Sequence, residues 1–383
     1  MENPTGFSLL RPELQTHLQS LGIVKPTPVQ DAYLKAFFES KKDILMQAST
    51  GTGKSLGFLL SLINQRLIPK KTPTVLTPRH LILVPTIMLG EQIFEWCKKL
   101  GYEHASMHFG TKSCKPDPSH ELLIASPKAL RVELARSMFN PSDLSNVILD
   151  EADALIKPLG EFATKGKKQS RKEHPNPTLT FLSELYAVAS PLRPRMIVSS
   201  ASLTFWTRKD MMRENLLQQN AVFLKSTLAP EVPKQLLHYH RLLRGTDPCE
   251  LSEVIQQICA RHSPKSTGIV FLPQEKSKNT LKQWLSSRVN RPVYLIDDLK
   301  PKPGSLILAS DSDARGLDLP SLEFVIILDT PRTPTHYLHM AGRVGRVSQV
   351  GENPSVYNVL GVETDLDILT TRLSLLNLRS TPF

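Results

Sequence analysis

The strongest chemical signal in the sequence is a short glycine-rich segment that could bind phosphate. It consists of Ala48, Ser49, Thr50, Gly51, Thr52, Gly53, Lys54 and Ser55, with an apolar run on either side. This pattern predicts a strand, a turn and a helix, with backbone N–H groups facing an anion at the positive end of the helix dipole. Lys54 can then reach the β- and γ-phosphates of a nucleotide, and the Ser55 hydroxyl can hold Mg²⁺.

Two adjacent carboxylates follow a second apolar run, Val147 to Leu149. Asp150 can hold Mg²⁺ through water, and Glu151 can polarise an attacking water molecule. Taken alone, two acids after a strand more often mark a helix N-terminus, where the helix dipole favours negative charge. Together with Lys54 and Ser55 they favour hydrolysis of a nucleoside triphosphate.

Three further side chains have the right chemistry but a weaker pattern. Gln30 follows a rigid turn with two prolines, and its amide has the donors and acceptor needed to read an adenine edge. Arg343 and Arg346 are three residues apart on a segment that should be helical, so they share a face and could act as arginine fingers. Without the phosphate-binding segment, an ordinary surface helix would be the better interpretation of each.

The elements that must position these residues alternate between strand and helix. Strands are predicted near 43–48, 81–85, 104–109, 122–125, 146–149, 195–200 and 221–224, and helices near 30–39, 54–66, 89–99, 127–137 and 204–218. Such alternation predicts a mainly parallel sheet covered on both faces, with ligands bound at the carboxyl ends of its strands. A basic insertion at 157–178 interrupts the pattern and is predicted to be a mobile surface loop, either simply solvated or in contact with phosphate.

The second half forms a smaller α/β unit. A proline-rich linker at 229–235 separates a first domain, 1–228, from a second, 236–383. Strands are predicted near 236–243, 268–272, 292–296, 306–310, 324–328 and 354–360, and helices near 249–261 and 276–288.

Charge and composition limit the partners and the compartment. The 383 residues carry a formal net charge of +11, which suits a polyanion such as nucleic acid. The four cysteines lie far apart, which favours a reducing intracellular compartment without a disulfide framework or zinc site. No apolar stretch could cross a bilayer, so no membrane partner is expected. No presequence is visible, and mitochondrion, nucleus and cytoplasm all stay open.

From about Phe7 to about Leu360, the sequence resembles the DEAD-box RNA helicases, which are built from two RecA-like domains. Asp150, Glu151, Ala152 and Asp153 spell the motif that names the family, and Gly22 to Gln30 resembles its Q motif. The resemblance implies an α/β fold of two RecA-like domains, each a mainly parallel sheet flanked by helices. It also implies ATP and Mg²⁺ as cofactors, and RNA as the partner of a monomeric protein.

Site residues follow from the resemblance, motif by motif. Gln30 would read adenine. Ser200 and Ser202 stand where the family has a Ser-Ala-Thr motif, which couples hydrolysis to RNA binding through the segment containing Asp153. Gly316 and Asp318 would contact the nucleotide, Arg315 and His339 would take part in coupling, and Arg343 and Arg346 would be arginine fingers. Contacts to RNA are expected from Pro85, Thr86, Gly110, Ser126, Pro127 and Ser310.

Departures from the family pattern concentrate among the residues that contact RNA. Ile87 and Ala129 stand where the family has RNA-contacting arginines, Phe109 replaces a glycine, and Met340 replaces the first arginine of the last motif.

Only a short segment, with Pro301 and Pro303, separates Ile296 from Leu306, where the family has a helix. Neighbouring parallel strands usually need a crossover of about a dozen residues or more. We therefore expect the flanking strands not to be neighbours, or the second domain to be reduced, or the coding sequence to be incomplete here.

These patterns support an ATP-dependent RNA helicase that locally unwinds or remodels structured RNA or ribonucleoprotein, with ribosome assembly as a context by analogy. RNA contacts would be made to the backbone of a single strand or short duplex, independently of sequence. The missing arginines and the short crossover favour an alternative, a catalytically weak, ATP-gated RNA clamp or scaffold. A DNA helicase of the same superfamily is a third interpretation, against which the Q motif speaks.

Overall fold

The computed structural model describes residues 5–49, 51–65, 74–110, 116–156, 158–159, 164–189, 193–226, 236–244, 248–273, 277–296, 298, 302–310, 322–328, 330–345 and 354–383. The chain divides into two compact units, Met1–Ala229 and Pro230–Phe383. The predicted linker at 229–235 lies outside the described residues.

The first unit contains a seven-stranded sheet. Its strands are β1 (Ile44–Gln47), β2 (His80–Leu83), β3 (Ala105–His108), β4 (Leu122–Ala125), β5 (Asn146–Leu149), β6 (Arg195–Ser200) and β7 (Val222–Lys225). They lie in the order β3-β4-β2-β5-β6-β1-β7, and every neighbouring pair is parallel. Because both faces of the sheet are covered, its central strands are continuous apolar runs.

Nine helices of the first unit are described. They are α1 (Pro12–Ser20), α2 (Pro28–Glu39), α3 (Lys54–Ile63), α4 (Ile87–Lys99), α5 (Pro127–Ala135), α6 (Ala152–Leu155), α7 (Lys165–Glu173), α8 (Pro177–Val188) and α9 (Phe205–Arg213), and a 3₁₀ turn, Gly6–Leu9, precedes them. Several begin at a side chain that accepts a hydrogen bond from the first turn: Thr27, Thr86, Ser126, Asn176 and Thr204. One apolar cluster on each face of the sheet forms the core.

The predicted loop at 157–178 is wrong in its central part. Residues 165–173 form α7, and α8, which was not predicted, begins at Pro177. Lys, Arg, Gln and Glu are good helix formers even where no apolar periodicity marks the helix. The helix predicted over 204–218 ends at Arg213, and Asn215 adopts a left-handed conformation with φ of 56°.

The second unit has its own sheet of seven strands. They are β8 (Leu237–Leu242), β9 (Thr267–Leu272), β10 (Val293–Leu295), β11 (Leu306–Ser310), β12 (Leu322–Ile327), β13 (Ser355–Leu360) and β14 (Thr381–Pro382), in the parallel order β10-β11-β9-β12-β13-β8-β14. Its described helices are α10 (Pro248–Ala260), α11 (Lys278–Ser286), α12 (Pro334–Ala341) and α13 (Glu363–Ser374). The predicted fold class, two α/β units with mainly parallel sheets flanked by helices, is confirmed.

The expectation that the strands around the short crossover are not neighbours is wrong. β10 and β11 pair in parallel, with Val293 opposite Leu306. β10 has only three residues, so it is about 10 Å long. The connection must therefore return over a short distance, and an extended chain of about ten residues can span roughly 30 Å without a helix.

Among the described residues, no helix combines the length and the apolar character that a bilayer crossing requires.

Candidate active site

The phosphate-binding segment connects the end of β1 to the start of α3. Lys54 is the first residue of α3 and is 5% exposed, and its Nζ donates to the carbonyl oxygens of Ala48 at 2.7 Å and Ser49 at 2.8 Å. These bonds hold the ammonium group inside the loop, from where it can reach a phosphate bound there. Gly51 and Gly53 both have φ of 79°, a conformation that glycine adopts most readily. Thr50 lies outside the described residues.

Gln30 contacts this segment directly. Its Nε2 donates to the carbonyl oxygen of Gly53 at 3.1 Å, and its Oε1 accepts from the backbone N–H of Thr27 at 2.9 Å. The Thr27 hydroxyl donates to the carbonyl oxygen of Thr52 at 2.8 Å. The start of α2 is therefore bonded twice to the phosphate loop. Sequence reasoning missed the contact of Thr27 with the loop, because nothing in a linear pattern shows which segment lies beside it after folding.

Ser55 and Asp150 lie together beneath the loop. The Ser55 hydroxyl donates to Asp150 Oδ2 at 2.6 Å, and Asp150 is buried. Burial and the neighbouring Glu151 carboxylate raise the pKa of Asp150 to about 6, against the lowering effect of Ser55 and Lys54. A divalent cation would lower it again by stabilising the charged form.

The predicted pair of metal ligands fits Mg²⁺. The Ser55 hydroxyl and the Asp150 carboxylate supply the hard oxygen donors that Mg²⁺ prefers, and this ion commonly takes only one or two protein ligands beside phosphates and water. Within the described ranges no group of three or more His, Cys, Asp or Glu side chains could hold a metal ion. A site completed by phosphate oxygens needs no such group.

Glu151 has the geometry expected of a group that acts on water. It adopts a left-handed conformation with φ of 52° between β5 and α6. No hydrogen-bond partner from the described part of the chain reaches its buried Oε2. An unpaired carboxylate oxygen in a buried position is costly, and such groups concentrate at functional sites.

The predicted coupling residues of the first unit are in contact. The Ser200 hydroxyl donates to Asp153 Oδ1 at 2.6 Å, and the Ser202 hydroxyl donates to Asp153 Oδ2 at 3.2 Å. The end of β6 is thus joined to the acidic segment after β5. Ser202 supplies the hydroxyl that the family's threonine would supply.

The residues expected to contact RNA in this unit follow three neighbouring strands. Pro85 and Thr86 follow β2, Ser126 and Pro127 follow β4, and Gly110 comes two residues after β3. The hydroxyls of Thr86 and Ser126 cap α4 and α5 by accepting from backbone N–H groups at 3.3 Å. Helix N-termini at the carboxyl edge of a parallel sheet are suited to binding phosphate.

In the second unit, three of the predicted residues are described. Ser310 ends β11, His339 lies in the last turn of α12, and Arg343 follows that helix. Arg343 is buried and its Nε donates to the carbonyl oxygen of His339 at 2.7 Å. Met340 is also buried, so the position where the family has arginine is here a core position. Arg315, Gly316, Asp318 and Arg346 lie outside the described residues.

Two protein-family models match this chain. The DEAD/DEAH box helicase family model matches residues 27–207, and the model of the helicase conserved C-terminal domain matches residues 251–348. The chain is 27% identical over 357 residues to the ATP-dependent RNA helicase DRS1 of Candida albicans, covering 90% of this chain and 55% of that protein. It is 26% identical over 360 residues to the probable ATP-dependent RNA helicase DDX28 of Homo sapiens, covering 85% of this chain and 64% of that protein. The chain spans about half the length of the DRS1 relatives it matches.

Solved structures show the same fold. The S. cerevisiae protein Dbp5 bound to RNA and ADP BeF3 matches with a TM-score of 0.78 at 18% identity, over 99% of this chain and 96% of that one. Mss116 bound to ssRNA and UDP-BeF also matches with a TM-score of 0.78, at 20% identity, over 100% of this chain and 81% of that one. The two family models match in chain order, and the first spans the phosphate loop, the acidic pair and the two coupling serines. The chain therefore belongs to the DEAD/DEAH box helicase family, as a divergent member.

Proposed function

We propose that this protein is an ATP-dependent RNA helicase, which hydrolyses ATP in response to RNA and locally separates short duplexes. The observation that carries the proposal is a pair of contact sets at the two ends of one four-residue segment: Ser55 bonds Asp150, and Ser200 and Ser202 bond Asp153. The names of the relatives, ATP-dependent RNA helicases, support the same activity.

Each group in the first unit has a role in this proposal. Lys54 and the loop N–H groups bind the β- and γ-phosphates, and Gln30 reads adenine. Ser55 and Asp150 would hold Mg²⁺, which neutralises charge on the phosphates. The Glu151 carboxylate accepts a hydrogen bond from the attacking water and orients it. From the second unit, Arg343 and Arg346 are proposed to stabilise the charge that develops on the transferred phosphoryl group.

The proposed substrate is structured RNA or ribonucleoprotein, including particles in ribosome assembly. RNA is proposed to bind through its phosphates along the edge formed by Thr86, Gly110 and Ser126, with no dependence on base sequence. Sequence-independent contacts suit an enzyme that opens short duplexes in many contexts.

Steady-state ATP hydrolysis with and without single-stranded RNA tests the proposal. We expect RNA to raise the turnover rate, and Lys54→Ala to abolish the RNA-dependent part. Turnover that RNA does not raise, or that persists in Lys54→Ala, would overturn it.

A second variant distinguishes the helicase from the alternative function, an ATP-gated RNA clamp. In Glu151→Gln the water-orienting carboxylate is lost while the phosphate loop is intact, so we expect a complex that holds ATP and RNA but does not turn over. A clamp that does not depend on hydrolysis would instead release RNA at the same rate in Glu151→Gln and in the unaltered protein.

A further inference from the structure

A cavity of about 810 Å³ lies in the first unit among α7, α8 and α9. Its lining includes none of the residues assigned above to ATP or RNA. Leu159, Pro175, Leu179 and Trp206 contribute apolar surface, and Arg171, Lys172, Lys209 and Arg213 contribute positive charge. This groove forms only because α7 and α8 fold beside α9, which the sequence pattern does not predict.

An aromatic pair stands at one side of this groove. Phe205 is 69% exposed, and its ring centroid lies 5.2 Å from that of Trp206 in an edge-to-face arrangement. Lys209 Nζ lies 5.1 Å from the Trp206 ring centroid and 6.0 Å from that of Phe205. Exposed aromatic rings beside cationic side chains are what proteins use to stack the unpaired bases of single-stranded nucleic acid.

The charge of the groove favours a polyanion. Its three acidic side chains are all paired with arginine: Glu184 with Arg131 at 2.7 and 3.0 Å, and Asp210 and Glu214 with Arg213 at 3.2 and 3.3 Å. Among the described residues, no carboxylate pairs with the exposed side chains of Lys172 or Lys209. The sequence of α7 contains five Lys and Arg residues, Arg171 and Lys172 among them, and one Glu.

We propose that this groove binds single-stranded RNA as a second site, with bases stacked on Phe205 and Trp206 and phosphates bound by Lys172 and Lys209. The proposal rests on the proposed function in that the ligand is RNA. A single strand is favoured over a duplex because only unpaired bases offer their faces to an aromatic ring. α9 begins three residues after Ser202, so the second site lies next in the chain to the coupling segment.

Paired charge-removing variants test the phosphate contacts. Lys172→Gln/Lys209→Gln removes two charges from the groove, and Lys98→Gln/Lys99→Gln removes two from α4. The control lysines are exposed and, like Lys209, lie over aromatic rings: Lys98 over Phe94 at 4.7 Å and Lys99 over Trp96 at 5.0 Å. We expect the groove variant to bind a long single-stranded RNA about tenfold more weakly. Its log–log salt slope should fall by roughly 1.4, because each lysine that neutralises a phosphate of a single strand adds about 0.7 to that slope. The control should match the unaltered protein.

Phe205→Ala tests the stacking of bases. Because the ring is exposed, we expect its removal to leave folding unchanged and to weaken binding of a single strand about tenfold. Binding of a blunt RNA duplex should not change. Crosslinking of RNA that contains 4-thiouridine should modify the peptide with Phe205 and Trp206 in the unaltered protein.

The outcomes separate this site from the proposed function. If RNA stimulates ATP hydrolysis but both groove variants bind like the Lys98→Gln/Lys99→Gln control, the second site is wrong and the helicase proposal stands. That result would mean that the groove binds a protein segment or is filled by solvent. If the unaltered protein neither binds RNA nor responds to it, both proposals fail.

Discussion

At the scale of single residues, Gln30 links two motifs that are 23 residues apart. Its amide nitrogen bonds Gly53 in the phosphate loop while its amide oxygen completes the capping box of α2. A Cβ at position 53 would displace Gln30 Nε2, so Gly53 keeps the space for this hydrogen bond as well as providing a positive φ. The amide keeps a second N–H and a second lone pair, which leaves it able to read adenine as predicted.

Gln30→Glu separates these roles. A glutamate can still accept from Thr27 in the capping box, but it cannot donate to Gly53 or adenine. We expect a loss of about 1–3 kcal/mol of stability in urea, because Gln30 is buried and the new carboxylate would face the Gly53 carbonyl oxygen. We also expect a KM for ATP about tenfold higher, which corresponds to about 1.4 kcal/mol. Thr27→Ser, which keeps the hydroxyl, serves as the control and should retain the original KM. An unchanged KM in Gln30→Glu would contradict the role assigned to the amide nitrogen.

Ser200 offers a test of coupling. Ser200→Ala removes the 2.6 Å bond to Asp153 and the acceptor for the Ser202 backbone N–H. We expect RNA-stimulated ATP hydrolysis within a few-fold of the original rate but a large loss of duplex separation, measured with a labelled short RNA duplex. Ser202→Thr restores the family residue and should retain both activities. Parallel loss of both activities in Ser200→Ala would assign the hydrogen bond to catalysis instead.

Parts of the site could be predicted from the sequence where a short motif contains both the residues that set the backbone conformation and the side chains that do the chemistry. The phosphate loop, the Asp150 and Glu151 pair and the two coupling serines are of this kind. The partners of Gln30 and the groove beside Trp206 could not be predicted, because they depend on segments that meet only after folding.

At the scale of elements, Asp43 joins three segments of the first sheet. Its buried carboxylate accepts two hydrogen bonds from Arg193, at 3.0 and 2.8 Å, and one each from the backbone N–H groups of Met196 and Gln218. These contacts fix the start of β1 against β6 and against the turn before β7. All acceptor positions face a donor, so the buried charge is fully compensated.

Asp43→Ala should therefore be strongly destabilising. It leaves two backbone N–H groups without an acceptor and removes the carboxylate from the Arg193 guanidinium, which keeps the carbonyl oxygens of Pro194 and Leu216. Breaking such a buried pair costs about 3–5 kcal/mol. The free energy of unfolding in urea measures the loss. Glu95→Ala, which breaks an exposed pair with Lys98 in the same unit, should cost less than about 1 kcal/mol. Equal effects of the two variants would exclude the role given to Asp43.

Element prediction succeeds for apolar strands and fails where periodicity is missing. The predicted strands of both units are present, since buried parallel strands are continuous apolar runs that no other element of that length resembles. α7 has almost no apolar residue to mark a buried face, so its charge suggests a loop. α13 was not predicted, and the helical segment expected to carry Arg343 and Arg346 is wrong at Arg343, because α12 ends at Ala341. The β10–β11 pairing contradicts the crossover rule because that rule assumes strands of ordinary length.

At the scale of the whole molecule, an arginine in each unit donates hydrogen bonds to carbonyl oxygens at the end of a helix. The Arg195 guanidinium donates to the carbonyl oxygens of Ala36 and Phe37 at the end of α2, and lies 4.6 Å from the Phe37 ring. In the second unit, Arg291 donates to carbonyl oxygens at and after the end of α10, including that of Cys259, and lies 5.6 Å from a phenylalanine ring. An arginine thus closes a helix end in each of the two units.

A buried histidine in the second unit should make the stability of that unit sensitive to acid. His238 lies beside Tyr337, and burial lowers its pKa from 6.5 to about 4. The pKa of His238 is lower in the folded state than in the unfolded state. Between about pH 4 and about pH 6.5, the unfolded state therefore binds a proton that the folded state does not bind. The free energy of unfolding is therefore highest above about pH 6.5. It falls as the pH drops towards 4, by at most about 1.4 kcal/mol per pH unit.

Tryptophan reporters allow this effect to be measured in the second unit alone. Of the three tryptophans, only Trp284 belongs to that unit, so Trp96→Phe/Trp206→Phe makes its fluorescence specific. Between about pH 6.5 and about pH 5.5, His238→Gln should lose about 1 kcal/mol less stability to acid than the parent, because glutamine binds no proton and about half of the unfolded histidine is already protonated at pH 6.5. Trp284→Phe, which reports the first unit, should show no effect of His238→Gln on that unit's acid response. The same acid dependence with and without His238 would show that this imidazole is already protonated in the folded unit, or is not buried.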